Sequence, residues 1–379
     1  MYTIQELRYW QSQPLSEKIE KAKDTIRNWV NAFRKFTVLN FETGKERIVV
    51  CDGSEIWSKI SREEDVVNED HGVYVSFSGG KDSTVLLHIV RQMYPDIEAV
   101  FVNTGLEYPE IQSFVKSFEN VTILRPKMRF DEVIRKYGYP FIGKEVSQAV
   151  YYARKGKDWA IKYLSGLDKH GLENEFKKNH FLKYKPLVDV DFSVSHYCCG
   201  VMKETPLIDY KRKTGKVSII ATLAEESARR TNAWLKTGCN AFDSDEPMSK
   251  PLSFWTNQDI LQYIKQNNLP IASVYGDIVY GNRDSAEKYN DLLCDCGKGL
   301  CTTKCERTGC IFCGFGAHLE KGESRFERLK ETHPRQYEYC MGGGAYDTDG
   351  LWKPTKEGLG MAHCIDEINK IYGKDFIKY

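Results

Sequence analysis

The stretch Val73-Tyr74-Val75-Ser76-Phe77-Ser78-Gly79-Gly80-Lys81-Asp82-Ser83-Thr84 decides the fold. A β-branched and aromatic run passes directly into Ser-Gly-Gly-Lys-Asp-Ser. The apolar residues that follow, Val85, Leu86, Ile89, Val90 and Met93, recur at helical spacing. Strand, glycine turn and helix N-terminus in that order build an anion site from backbone alone. The two glycines let the chain turn tightly and present N–H groups with no Cβ in the way. Lys81 adds a mobile positive charge, and the first helical turn adds its partial positive charge. The stretch reads as a phosphate loop. It is not a Walker A loop, because Asp82 follows Gly80-Lys81 and Val75 stands where the first glycine should be. A glycine turn that only joins strand to helix is the plainer alternative. The added lysine, aspartate and two serines speak against it.

Outward from the loop, Ala99-Val100-Phe101-Val102 reads as a second buried strand ending in Asn103-Thr104-Gly105. A helix over 109–119, opened by Pro109, leads to a third strand, Val121–Leu124, and helical segments fill much of 130–166. Val217–Ile220 is a further strand, with a helix starting at Glu225-Glu226-Ser227. Strands separated by helices predict an α/β fold with a mostly parallel, doubly wound sheet. Ligands of such sheets sit at the carboxyl ends of strands, and Ser78–Ser83, Asn103–Gly105 and Leu223–Arg229 all follow strands. Towards the N-terminus, Ile19, Ala22, Ile26, Trp29, Val30 and Phe33 predict an amphipathic helix with Ser16 as N-cap. Phe36–Leu39 and Arg47–Val50 predict a hairpin, and the acidic stretch from Glu63 to Asp70 reads as a solvated linker. Phe326, Leu329, Tyr337 and Tyr339 suggest one helix in the C-terminal part, and Gly342-Gly343-Gly344 reads as a loop. The expected division is an N-terminal helix and hairpin extension over 1–70, a nucleotide-binding domain over 71–280 and a Cys-rich module over 281–379.

A chain of 379 residues buries a sizeable core, and a formal charge of +1 gives no bulk attraction to nucleic acid or anionic membrane, although a local basic groove remains compatible with it. No apolar run reaches about 18 residues, so no membrane association is expected. The N-terminal Met1-Tyr2-Thr3-Ile4-Gln5-Glu6 lacks a basic-then-apolar signal pattern, so the expected location is cytoplasmic. Twelve cysteines in such a chain point to metal binding or redox chemistry. Cys198 and Cys199 are adjacent, and Cys310-Ile311-Phe312-Cys313 is a CxxC that can grip one metal centre from a single turn. Cys294, Cys296, Cys301 and Cys305 are further candidates, for a second site or as alternative ligands with Cys310 and Cys313 in a Zn²⁺ knuckle. Inert burial is the competing reading of the Cys198-Cys199 pair. Cys51, Cys239 and Cys364 stand alone and read as packing residues.

Ser78-Gly79-Gly80-Lys81-Asp82-Ser83 resembles the SGGxDS signature of the PP-loop ATP pyrophosphatases. The similarity continues through Val102–Glu110, which looks like the VDTG…(F/Y)PE segment of the phosphoadenosine phosphosulfate (PAPS) reductase branch. Cys198–Leu207 resembles that branch's CC…K…PL segment, Ala224–Arg230 its AEES..R segment and Pro251–Ile260 its P…W…DI segment. The resemblance implies a PP-loop, adenine nucleotide alpha-hydrolase-like fold. It implies nucleotide binding by Ser76, Ser78, Gly79, Gly80, Lys81, Asp82, Ser83, Asn103, Thr104, Gly105, Glu226 and Arg229, with Lys81 and Asp82 catalytic. Asp82 would help place Mg²⁺, a hard cation suited to carboxylate and phosphate oxygens. Only complementing the helix dipole is the plainer role for that carboxylate. The pairing of a Cys-Cys with a distant CxxC resembles the [4Fe–4S] ligand set of adenylylsulfate reductases and of DNA-phosphorothioation PP-loop enzymes, which implies Cys198, Cys199, Cys310 and Cys313 as cluster ligands.

Two departures from the reductase pattern matter. The loop keeps its full SGGKDS form, and Ala221-Thr222-Leu223 stands where a Gly-x-Arg would hold anionic groups of a sulfonucleotide. The C-terminal Glu-Cys-Gly-Leu/Ile-His motif is missing, with Cys340 a loose substitute. Both shift the expected ligand to ATP, cleaved to AMP and pyrophosphate so that sulfur can replace an acceptor oxygen. A cysteine desulfurase is a candidate sulfur donor, and DNA, tRNA or a small molecule all fit as acceptor. The alternatives are a sulfonucleotide reductase that produces sulfite and a non-catalytic nucleotide- and cluster-binding sensor or partner subunit.

Overall fold

A computed structural model describes residues 2–281, 299–320 and 322–379. Its elements run α1 (Ile4–Ser12), α2 (Leu15–Phe33), β1 (Lys35–Asn40), β2 (Glu46–Val50), α3 (Ile56–Lys59), β3 (Glu64–Asp70), β4 (Val73–Ser76), α4 (Lys81–Met93), β5 (Ala99–Val102), α5 (Pro109–Lys116) and β6 (Val121–Leu124). There follow α6 (Phe130–Tyr137), β7 (Phe141–Ile142), α7 (Lys144–Arg154), α8 (Asp158–Leu164), α9 (Glu175–His180), α10 (Tyr197–Cys199), α11 (Thr205–Thr214), β8 (Val217–Ile220), α12 (Ala228–Thr237), β9 (Asn240–Ala241), β10 (Met248–Ser249) and α13 (Asn257–Gln266). The last are β11 (Ile278–Tyr280), β12 (Leu300–Thr302), β13 (Gly314–Phe315), α14 (Arg325–Thr332), α15 (Pro334–Met341), β14 (Ala345–Tyr346), β15 (Trp352–Lys353) and α16 (Met361–Tyr372).

Contacts divide the chain into two compact units. The first comprises Met1–Val102, Tyr108–Leu124 and Ile208–Thr308; the second comprises Asn103–Glu107, Arg125–Leu207 and Gly309–Tyr379. These boundaries differ from the contiguous 1–70, 71–280 and 281–379 expected above. Composition along a chain marks local character, whereas a compact unit is set by which distant segments pack together.

The first unit is built on a six-stranded sheet of order β6-β5-β4-β8-β10-β9, parallel except for the β10–β9 pair. The chain runs outward from β4 through β5 to β6, then crosses to place β8 on the other side of β4. That makes β4 the topological switch point, where open α/β sheets form their ligand crevice. Val73, Tyr74 and Val75 are all buried, as expected of a strand flanked on both edges in a parallel sheet. The expected α/β class and the strands at 73–76, 99–102, 121–124 and 217–220 are therefore present.

The acidic stretch is not a linker. Glu64–Asp70 is an edge strand, β3, paired antiparallel with β1 in a three-stranded sheet of order β2-β1-β3. Val66 packs on the small core of Phe36, Val38, Val49, Cys51 and Ile56. Charges along the outer strand guard an open edge against further pairing, so the composition that suggested a linker is that of a protected edge. Other differences are local. The N-cap position of helix α2 lies two residues earlier than read, at Pro14 rather than Ser16. The single C-terminal helix is two, because Pro334 opens α15 directly after α14 ends at Thr332.

One buried ion pair ties α2 to α13. Lys18 Nζ lies 2.7 Å from Asp259 Oδ2, with the two side chains 3% and 10% exposed, and it also donates to Gln11 O at 2.7 Å. Asp259 simultaneously accepts from the backbone N–H and hydroxyl of Thr256, closing the capping box of α13. The aspartate of the P…W…DI segment thus has a structural task. Asp259→Ala is expected to lower unfolding free energy by about 3–5 kcal/mol, because it strands a buried ammonium. Lys18→Met is expected to cost less, since Asp259 keeps its capping donors. Urea titration checks the ranking, and equal losses would show that the pair does not work in this way.

Candidate nucleotide loop and cysteine pocket

Between β4 and α4 the chain makes the turn that its glycines permit. Gly79 adopts φ +72°, and a Cβ there would meet Val115 Cγ2 at 2.7 Å and Ile111 Cγ2 at 2.9 Å on α5. Both conformation and space therefore demand glycine. Ser78 N–H donates to Ser83 Oγ at 3.2 Å, the two serine hydroxyls lie 3.1 Å apart, and Ser83 Oγ donates to Gly80 O at 2.9 Å. Gly80 N–H faces Ser78 Oγ at 3.4 Å. These bonds hold the loop wrapped around the start of α4. Ser76 ends β4, paired with Val100 and Ile220. Lys81 is buried, with its Nζ 3.2 Å from Asp82 Oδ1.

Several groups at this loop escaped the sequence reading. The Lys81 N–H donates to the Tyr275 hydroxyl at 3.2 Å, and that hydroxyl lies 2.7 Å from Thr308 Oγ1. Arg230 is held by Glu226, and its charge is in electrostatic reach of both Asp82 and Arg307. Burial pulls the Arg230 guanidinium down first, the like charge of Arg307 adds to that, and Asp82 opposes both. Arg229 and Arg230 are both exposed at the start of α12, and Arg230 is the one in electrostatic reach of Asp82. Helical spacing carried a signal for this. Ser227 caps α12 by accepting from Arg230 N–H, which puts Arg230 in its first turn and matches the final arginine of AEES..R. Tyr275, Thr308 and Arg307 had no such signal, because only folding brings Tyr275 to Lys81, Thr308 to Tyr275 and Arg307 to Arg230. Asn103, Thr104 and Gly105 follow β5 directly and belong to the second unit.

In the second unit, Cys198, Cys199, Cys310 and Cys313 line one small pocket together with Leu106, Phe130, Pro140, Met202 and Lys203. Cys198 and Cys199 lie on the short α10, which continues into a π-turn over Gly200–Glu204 that carries Lys203. Cys310 and Cys313 precede β13, which pairs parallel with β7, and Ile311 N–H donates to Leu106 O at 2.8 Å. The hydrogen bond from Cys198 draws the Cys199 thiol down and pushes Cys198 up, with burial adding to the rise at Cys198. Burial raises Cys310 to about 11 and also raises Cys313. Burial pulls the Lys203 ammonium down, but Cys310, Glu107 and Cys199 outweigh it and the net shift is upward.

Four thiols on one pocket wall are donors that suit either a thiolate-bound Zn²⁺ ion or an iron–sulfur cluster. Cys198 Sγ and Cys199 Sγ are 4.0 Å apart. Cys301 and Cys305 belong to the first unit and do not line this pocket; Cys305 Sγ donates to Arg307 O at 2.7 Å. Cys294 and Cys296 lie outside the described residues. Cys340 is fully buried, 3.4 Å from Met361 Sδ, and burial pushes its thiol well up, so it is a packing residue. Gly343 and Gly344 pack on Gly358 and Trp352.

A cavity of about 430 Å³ shares Leu106 and Phe130 with the cysteine pocket. Its other walls include Asn103, Thr104, Gly105, Arg125 and Tyr339. Thr104 is fixed by Glu107, to which its N–H and hydroxyl donate at 3.0 and 2.7 Å. Its walls carry three aromatic rings, Phe130, Phe312 and Tyr339, and two arginines, Arg125 and Arg129.

A parallel sheet whose switch-point strand ends in Ser-Gly-Gly-Lys-Asp-Ser at a helix N-terminus defines an α/β protein of the PP-loop class. The phosphoadenosine phosphosulfate reductase domain matches residues 72–142 and 162–314, and the chain belongs to that family. An uncharacterised protein of Methanocaldococcus jannaschii is 37% identical over 298 residues, covering 76% of this chain and 52% of the relative. Phosphoadenosine 5'-phosphosulfate reductase of Buchnera aphidicola is 24% identical over 208 residues, covering 55% of this chain and 66% of the relative. The chain thus spans about half the length of the first and under two thirds of the second. A PAPS reductase from Candida auris, crystallised with phosphate, overlaps 53% of this chain and 75% of its own at 13% identity and a TM-score of 0.30, too low to bear on the site. No helix among the described residues is long and apolar enough to cross a membrane.

Proposed function

We propose that this chain binds ATP at Ser78–Ser83 and cleaves it to AMP and pyrophosphate, activating an acceptor oxygen for replacement by sulfur. The observation that carries this reading is the complete loop, with Lys81 and Asp82 side by side at the start of α4 and Arg230 in electrostatic reach of Asp82. Such a concentration of donors suits a triphosphate. Leu223, in the place of a sulfonucleotide-binding arginine, is only 1% exposed and apolar.

In the proposed reaction the acceptor oxygen attacks the α-phosphorus, the bond to the bridging oxygen breaks, and pyrophosphate leaves. The loop N–H groups and Lys81 neutralise charge gathering on the departing oxygens, and Asp82 is the residue that would hold Mg²⁺, which would supply further charge neutralisation. A hydrosulfide or a persulfide sulfur, the latter from a donor such as a cysteine desulfurase, then displaces AMP; with a persulfide, a thiol afterwards cleaves the S–S bond. Cys198, Cys199, Cys310 and Cys313 are the residues that would hold a [4Fe–4S] cluster, whose chemistry would be to hold or deliver that sulfur. The competing reading, a sulfonucleotide reductase, draws support from the reductases among the relatives. It lacks an accessible nucleophile in Cys340, which is buried.

Incubation of the full chain with ATP, Mg²⁺, sulfide and, in parallel reactions, DNA, tRNA or small-molecule acceptors, followed by product analysis, separates the readings. AMP and pyrophosphate are expected. Sulfite from adenylylsulfate without ATP cleavage overturns the proposal in favour of the reductase. ATP binding with neither product would instead identify a sensor or partner subunit.

A further inference from the structure

Residues 143–161 fall between the two segments that match the family domain. They form α7 and the first half of α8, which pack with α9 and the 3₁₀ turn Leu182–Val188 in the second unit. This helical patch has an unusual composition for its chain. Residues 144–185 hold ten Lys or Arg and five Asp or Glu, while the whole chain carries a charge of +1. Lys157, Lys169 and Lys185 are exposed and make no ion pair among the described residues. Apolar rings stand among them. Trp159 is 48% exposed and Phe176 is 61% exposed, the latter stacked on His180 with ring centroids 4.3 Å apart. Ile161 and Leu172 are exposed beside them.

Exposed rings interleaved with unpaired lysines are what a single strand needs, since its phosphates meet the charges and its unstacked bases meet the rings. A duplex hides its base faces, so Trp159 and Phe176 would add nothing to duplex binding. An acidic protein partner would use the lysines but has no systematic need for flat exposed rings. Exposed hydrogen-bonding side chains in the same patch, Asn179, His170 and His180, are suited to a ribose 2′-hydroxyl. We propose that the α7–α9 patch docks single-stranded RNA, which makes an RNA the acceptor class of the activating reaction proposed above. The chemistry rests on that reading, and the docking can be tested without it.

The test is equilibrium binding of the full chain to an unstructured labelled RNA of about 20 nucleotides, to DNA of the same sequence, and to the corresponding duplex, over a salt series. RNA is expected to bind tightest. Trp159→Ala with Phe176→Ala is expected to weaken RNA binding about tenfold or more. Lys157→Gln, Lys169→Gln and Lys185→Gln together are expected to flatten the salt dependence by about two units of slope. These residues are exposed, so unchanged circular dichroism and melting confirm that each variant folds. Asp82→Ala is expected to leave RNA binding intact, so a failed ATPase and a failed docking surface give different results. Equal affinity for RNA and duplex, or no response to the ring substitutions, overturns the proposal.

Discussion

Asp82→Ala is expected to lower pyrophosphate release from ATP by about a hundredfold or more. Asp82 occupies the first turn of α4 and is partly open to solvent, whereas Lys81 beside it is buried. The carboxylate is therefore placed to reach a metal ion on a bound nucleotide without being needed to fill the core. If it only complemented the helix dipole, its loss would cost a few tenths to about 1 kcal/mol of stability and leave turnover nearly unchanged. Asp82→Asn keeps the shape and removes the charge, so it should fall almost as far as the alanine variant. Arg230→Ala should fall less, about tenfold, because Lys81 remains beside Asp82. Initial rates across a Mg²⁺ series check the ordering. A normal rate in Asp82→Ala at saturating Mg²⁺ would remove the residue from the mechanism.

Substitution of Cys198 together with Cys313 is expected to reduce iron and sulfide in anaerobically purified protein about tenfold or more. The two residues come from segments over 100 positions apart and line one pocket, so each removes a ligand that no neighbour replaces. Cys301→Ala with Cys305→Ala is the discriminating control. Those residues belong to the first unit and do not line the pocket, so cluster content should stay normal. The opposite pattern, with metal kept in the first pair and lost in the second, would reassign the ligand set. Zinc in place of iron and sulfide would refute the cluster while keeping the pocket.

Much of the fold was legible because its strands are continuous apolar runs closed by turn chemistry. Val73–Ser76, Ala99–Val102 and Val121–Leu124 needed only their own residues to be read. β3 was not legible, because seven residues with four acids look like solvent until β1 is found to pair with them. Propensity reports what a segment does alone, and pairing at an edge overrides it.

The sequence by itself determined the tight turn Ser78–Ser83 between β4 and α4. Its glycine requirement, its serine hydrogen bonds and its Lys81-Asp82 pair all lie within a few residues, where covalent geometry leaves little freedom. It also determined that two cysteine pairs exist. Only the tertiary structure decided which distant groups join them. It set the Tyr275 hydroxyl, itself bonded to Thr308, on the Lys81 N–H, put Arg230 in reach of Asp82, brought Cys198 and Cys199 to Cys310 and Cys313, and buried Cys340. Those choices depend on packing between segments far apart in the chain, and local spacing carries no record of such encounters.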